Sequence, residues 1–286
     1  MPATLELTPF AHDFGFLDGL RWHDDALWMS DFTRSEVVRV TLDGTREIVA
    51  KIPGEPSGLG FLPDGTMLVV SQQEQRILRL GADGRLAEHA DLRSVARRNA
   101  NDMIVRRDGT AYVGSFGFLP AAGEAPQAIP LARVSPTGEV SIAAPDMMFP
   151  NGCVLSADER ILYVAETFAH QVTAFDVAAD GSLANRRVWA QLGDDVAPDG
   201  MCLDSEGALW MGTVQGERFL RVAEGGKILA VIPTAGQWAI SCVFGGEDRE
   251  TLFCATAQTT LPELMQGSSS AAVYHLKPGV RGAGAP

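Results

Sequence analysis

Apolar and polar positions alternate with a period of two in short runs along nearly the whole chain, and the runs themselves recur. Residues 56–61, 67–71 and 75–80 are three such runs, separated by the turns Pro63-Asp64-Gly65 and Asp83-Gly84. Asp-Gly between alternating runs predicts a tight hairpin, because glycine takes the positive φ that the turn needs. The same turn stands at Asp43-Gly44, Asp108-Gly109 and Asp180-Gly181, with Glu206-Gly207 as a variant. Sequential hairpins build an antiparallel meander.

A polar pair heads each unit of the pattern: Asp18-Gly19, Ser57-Gly58, Asn101-Asp102, Asn151-Gly152, Asp199-Gly200 and Ser241-Cys242. An apolar strand core follows each, centred on Trp28, Leu68, Tyr112, Tyr163, Trp210 and Phe253. A repeat of some 40 to 50 residues signals a radial array. The expected fold is all-β: a six-bladed β-propeller of four-stranded antiparallel blades, with residues 1–286 forming one domain. Closing the ring needs the two chain ends, so residues 5–8 are expected to pair with the strand at residues 272–276. The Gly-, Ala- and Pro-rich tail beyond Pro278 is expected to fray. Residues 91–98 suit a helical turn or two, and residues 117–127 form an insertion placed to cover one mouth of the channel.

With 36 acidic and 23 basic residues the net charge is −13. That balance argues against nucleic acid or an anionic membrane as partner, since both call for a basic face. No apolar run is long enough to span a bilayer, and no basic segment followed by an apolar one opens the chain. The chain reads as cytoplasmic, a monomer or weak homo-oligomer acting on a small molecule. Cys153, Cys202, Cys242 and Cys254 sit in apolar strand patterns without CxxC or zinc-ligand spacing, so buried free thiols are expected.

A propeller brings equivalent positions of all its blades to one channel. Here those positions include Asp18, Asn101, Asn151 and Asp199, each opening an inner strand. Carboxylate and carboxamide oxygens suit a hard divalent cation: Ca²⁺ first, with Mg²⁺, Mn²⁺ and Zn²⁺ left open. For each residue alone, Asp or Asn before Gly is turn chemistry; the register shared by four argues for a common site.

Several stretches together resemble the senescence-marker-protein/gluconolactonase/luciferin-regenerating-enzyme family, the regucalcin-like six-bladed propellers. They are residues 17–22, Asn101-Asp102-Met103, Phe149-Pro150-Asn151-Gly152, residues 198–204, and Cys242-Val243-Phe244-Gly245-Gly246. The resemblance covers almost the whole chain. It implies a metal-dependent hydrolase that opens lactones or related esters, with Asp18, Asn151 and Asp199 as metal ligands. It also implies that Asn101 faces the metal or substrate, and that Asp199 is the general base. Two departures stand out. Asp18 occupies the place where the family usually has Glu, which shortens its reach by about 1.4 Å. Asn99 stands where sugar-lactonase relatives often have Arg, which leaves sugar-acid lactone specificity open. Phe116 and Trp238, with Asn99 and Asn101, are the candidate substrate contacts, and Phe118 and Phe168 are further candidates for the mouth.

Other residues carry less. The five histidines (12, 23, 89, 170 and 275) show no ligand spacing and are expected at the surface or in strand packing. Ser30 and Ser115 lack the G-x-S-x-G elbow of a serine hydrolase. Glu166-Thr167 follows a strand core and is a candidate for reaching the pocket. The alternative functions are a non-hydrolytic isomerase or lyase on the same metal site, or a metal-binding scaffold.

Overall fold

The computed structural model describes residues 2–119, 122–214 and 216–285. It is a six-bladed propeller of antiparallel four-stranded sheets. Blade 1 runs outward through Leu17–His23, Ala26–Asp31, Glu36–Thr41 and Arg46–Lys51, and blade 2 through Pro56–Phe61, Met67–Ser71, Arg76–Leu80 and Leu86–Asp91. Blade 3 comprises Ala100–Val105, Ala111–Ser115, Ile129–Val134 and Val140–Met147. Blade 4 comprises Pro150–Leu155, Ile161–Glu166, Gln171–Val177 and Leu183–Gln191. Blade 5 is built on Pro198–Asp204, Leu209–Thr213, Arg218–Val222 and Ile228–Pro233. Each inner strand contacts the next around the ring, and the sixth returns to the first.

Blade 6 joins the two ends of the chain. Trp238–Gly245, Thr251–Gln258 and Ser270–Leu276 are followed at the outer edge by Thr8–Phe14, antiparallel to Ser270–Leu276. Closure by both termini is thus as expected, but the closing strand starts where the expected segment ends. Leu5 instead donates its N–H to Val231 O, and Ala3–Thr4 pairs in parallel with the outer strand of blade 5. The C-terminal tail does not fray. Gly282–Ala283 pairs with Leu203 and Asp204 on the inner strand of blade 5, and Leu155 and Ala285 exchange backbone hydrogen bonds. Backbone pairing holds it, which a hydrophobic pattern cannot reveal. Residues 92–96 make only an isolated turn.

The core lies between blades. One apolar cluster joins blades 4 and 5 through Tyr163, Trp189, Met201 and Leu220, and another joins blades 6 and 1 through Leu20, Met29, Val243 and Phe253. The Asp-Gly turns form as the sequence predicts: Gly65 has φ 82°, and Thr66 N–H bonds Asp64 Oδ1 at 2.9 Å. All four cysteines are free and buried, and Cys202 Sγ lies 3.8 Å from Cys242 Sγ. No helix among the described residues is long and apolar enough to cross a membrane.

Candidate functional site

Every inner strand carries an extra residue at the same level. In blade 4, Pro150 pairs with Glu166 and Cys153 with Val164, so three steps on one strand oppose two on the other. The same shift occurs after Asp18, Pro56, Ala100, Pro198 and Ala239. Such a bulge re-aims side chains, and here it places Asp18, Ser57, Asn101, Asn151 and Asp199 at equivalent positions. The sixth equivalent is Ile240, not Ser241. The polar pair expected at Ser241-Cys242 is therefore one residue out of register, and Ile240 lines the cavity.

The second member of each pair has a packing reason rather than a turn reason. A Cβ on Gly58 would lie 2.3 Å from Met103 N of the next blade, and one on Gly152 would lie 2.3 Å from Asp199 O. Glycine lets neighbouring inner strands approach closely. Blade 3 substitutes Asp102, whose buried carboxylate meets Arg21 Nη2 at 2.7 Å. Arg21 also bonds Leu59 O at 2.9 Å, Leu20 O at 2.8 Å and Met103 O, tying blades 1, 2 and 3 together.

Above this level opens a cavity of about 870 Å³. It is lined by all seven residues expected at the site: Asp18, Asn101, Asn151 and Asp199, with Asn99, Phe116 and Trp238. Phe168 lines it as well, while Phe118 is buried behind, edge-on to Phe149 and Phe168. From the insertion, Leu119 and Ala122 reach the cavity; residues 120 and 121 lie outside the described residues.

Asp18 accepts hydrogen bonds from Ser57 Oγ at 2.7 Å and from its neighbour Gly19 N–H at 2.7 Å. Asn151 Nδ2 donates to Thr167 Oγ1 at 3.2 Å, and Thr167 Oγ1 donates to Pro198 O at 2.8 Å, which fixes the amide between blades 4 and 5. Asn101 Nδ2 is buried without a hydrogen-bond partner, a donor left for a ligand. Burial drives the Asp199 carboxyl well above the usual range, and the charges of Asp18 and Asp102 add to the rise; hydrogen bonds from Asn151 and Gly200 N oppose it. Asp102 is pushed up to about 6, because its burial outweighs the attraction of Arg21.

These features allow a test of the resident cation that the resemblance implies. Two carboxylates, Asp18 and Asp199, repel each other at the cavity floor, and the nearby cation Arg21 is engaged by Asp102 and three carbonyls. No cluster of three or more His, Cys, Asp or Glu side chains suited to a metal occurs among the described residues. The donors are therefore two carboxylates with carboxamide oxygens, a set that fits a hard cation such as Ca²⁺ better than zinc with its N and S ligands.

Glu166 does not reach the cavity. It is buried within blade 4, where it accepts hydrogen bonds from Met148 N at 2.7 Å, Gln171 Nε2 at 2.9 Å and Thr173 Oγ1. His170, expected at the surface or in strand packing, lines the cavity with Nδ1 2.9 Å from Val196 O. Thr167, the other member of the Glu166-Thr167 pair, does line the cavity, as does Phe149 of the Phe149-Pro150-Asn151-Gly152 stretch; Glu55 lines it too and carries no signal of period or motif. Phe149 is held at φ 59°, a left-handed conformation costly for an aromatic residue, directly before Pro150 and Asn151.

The profile of the SMP-30/gluconolactonase/LRE-like region matches residues 16–258. Regucalcin of Danio rerio is 39% identical over 110 residues, so the match spans 37% of this chain and only 37% of that relative. The 6-deoxy-6-sulfogluconolactonase of Pseudomonas putida is 25% identical over 269 residues, covering 92% of this chain and 90% of the relative. Among solved structures, a gluconolactonase of Xanthomonas campestris superposes with a TM-score of 0.73 at 25% identity, covering 94% and 89% of the two chains. The matched region takes in blades 1 to 5 and the two inner strands of blade 6, and the chain belongs to the SMP-30/gluconolactonase/LRE-like family.

Proposed function

We propose that the protein is a divalent-metal-dependent hydrolase that opens a lactone ring, with Ca²⁺ as its preferred ion. The observation that carries this reading is the convergence of Asp18, Asn101, Asn151 and Asp199 on the floor of one apolar-walled cavity. The full-length likeness to a sulfogluconolactonase and a gluconolactonase supports it. Asp18, Asn151 and Asp199 would hold the ion. When bound, the ion supplies Lewis acidity for a carbonyl oxygen.

The chain's own groups account for the remaining roles. Asn101 Nδ2 donates a hydrogen bond to the lactone carbonyl and retains it as negative charge develops on that oxygen. Asp199 accepts a proton from the attacking water. The acyl C–O bond breaks, the ring oxygen takes up a proton, and a hydroxy acid leaves. Asp18 is oriented by Ser57, and Asn151 by Thr167, so neither must reorganise during the reaction.

Proton release from a panel of lactones tests the reading, using metal-stripped protein with Ca²⁺, Mg²⁺, Mn²⁺ or Zn²⁺ restored in turn. Activity should return with Ca²⁺ and fall roughly 10²–10⁴-fold in Asp199→Asn, the range for loss of a general base. Protein that binds Ca²⁺ tightly yet opens no lactone would overturn it.

A further inference from the structure

We infer that the substrate is a lactone bearing an uncharged, apolar substituent rather than a polyhydroxylated or anionic sugar lactone; this rests on the hydrolase reading above. The cavity walls carry the argument. Blades 3 and 4 contribute one aromatic wall, in which Phe116 stacks on Phe149 at 4.4 Å and Phe168 stands 5.1 Å from Phe149, edge-on. Blades 1 and 6, across the ring, contribute Phe16, Phe32 and Trp238. Above them the short helix Leu261–Met265 in blade 6 brings Leu264 and Met265 to the mouth.

Parts of this apolar surface face water. Phe168 is 40% exposed and Met265 is 63% exposed. Aromatic and aliphatic side chains ringing the entrance of a concave site gain by being covered with apolar ligand surface. Sugar hydroxyls placed against them would give up water without finding partners. Above the floor, the neutral polar lining is Gln72, Gln73 and Asn99 on blades 2 and 3 with Thr167 and His170 on blade 4, and the last two are already bonded to the backbone carbonyls of Pro198 and Val196. Gln72 Oε1, buried there without a partner, is a place for one polar substrate group, not for a run of hydroxyls.

Charge points the same way. Besides Asp18 and Asp199 on the floor, the charged side chains on the walls are Glu55, Asp194 and Asp195. No lysine or arginine belongs to the lining among the described residues. A carboxylate, sulfonate or phosphate carried on the substrate away from the floor would meet the carboxylates of Glu55, Asp194 and Asp195 with no lysine or arginine to receive it. The product is another matter. Water adds across the acyl C–O bond, and the hydroxy acid ionises to a carboxylate with release of one proton. The acidic walls repel that carboxylate and so favour its departure.

The test uses the Ca²⁺-loaded full chain and five probes: δ-valerolactone, δ-octalactone, δ-decalactone, glucono-δ-lactone and 6-phosphoglucono-δ-lactone. kcat/KM should rise about three- to fourfold per added methylene along the alkyl series, the usual increment for burying a CH₂ group. Both sugar lactones should lie at least about a hundredfold below δ-decalactone, the increment compounded over its side chain. Phe168→Ala should flatten the alkyl series without abolishing turnover of δ-valerolactone. A flat alkyl series in the unaltered protein, or a sugar lactone that matches δ-decalactone, would overturn the inference. If no lactone is opened, the hydrolase reading falls, and calorimetry with δ-lactams bearing the same alkyl chains decides the substrate question. Affinity that climbs with chain length would support the apolar site; affinity independent of chain length, or no binding, would overturn it.

Discussion

Gly152→Ala is the sharpest probe of how the propeller places its site. The added Cβ would stand 2.3 Å from Asp199 O, 2.9 Å from Gly200 Cα and 3.0 Å from Met201 N, all backbone atoms of the neighbouring inner strand. Ordinary contact starts at 3.4 Å, so blades 4 and 5 must part locally by 3.4 − 2.3 = 1.1 Å. Overpacking of this kind costs about 1–3 kcal/mol. The displacement falls between Asn151 and Asp199, and a misplacement of about 1 Å costs roughly a hundredfold in catalysis. Ca²⁺ affinity and activity should therefore drop more steeply than stability does. Gly65→Ala is the control: its turn has φ 82° and nothing within 4 Å of the new Cβ. That variant should lose about 1–2 kcal/mol from left-handed strain and leave Ca²⁺ binding intact. Urea denaturation and Ca²⁺ calorimetry on both variants would read the contrast. If Gly152→Ala binds Ca²⁺ as tightly as the unaltered protein, the close approach does not set the ligand spacing.

Two further perturbations follow from groups in the ring and at the chain end. Asp102 titrates at about 6 in the fold against an ordinary 3.8, so the folded state binds the proton more tightly than the unfolded chain. Metal-free protein should thus gain stability as the pH falls from about 7 towards 5, by roughly 1 kcal/mol from this group, with Asp199 adding in the same direction. A thermal melt that falls steadily over that range would contradict the assignment, and Asp102→Asn should shrink the slope. Deleting residues 279–286 removes the hydrogen bonds from Ser205 N to Arg281 O, from Gly282 N to Arg249 O, and between Leu155 and Ala285 in both directions. It should cost about 2–4 kcal/mol in chemical denaturation, whereas a frayed tail could be lost at no cost.

The blades and most of the ring were legible because two signals coincide at each of them. Period-two runs mark the strands, and a small polar residue recurs just before them, where the bulge needs it. Blade 6 breaks the second signal, since Ile240 takes the ring position, and the eye settles on Ser241 one residue later. The closing strand was misplaced for a related reason: Thr8–Phe14 lies at an outer edge, with most of its side chains exposed or half-buried, so its alternation is faint. Phe116 and Trp238 were legible as aromatics next to strand ends. Thr167 was legible as the residue just past a strand end, whereas His170 was not, because the turn after a strand obeys no period. Glu166 misleads in the opposite sense: a charged residue at a strand end suggests a pocket, yet the fold satisfies it inside the blade with Gln171, Thr173 and a backbone N–H.

The meeting of the two termini in blade 6 bears on when the protein can begin to work. Asp18 belongs to the first blade and Asp199 to the fifth, and they face one another only after residues 8–14 have found residues 270–276. A chain emerging from the ribosome must wait for residues 270–276 before its cavity floor exists. Contacts so distant in sequence make folding slow and cooperative, and an incomplete chain has no site to offer. A cation held between those carboxylates would act as a clasp on the finished ring, tightening its grip only on molecules whose sixth blade has closed.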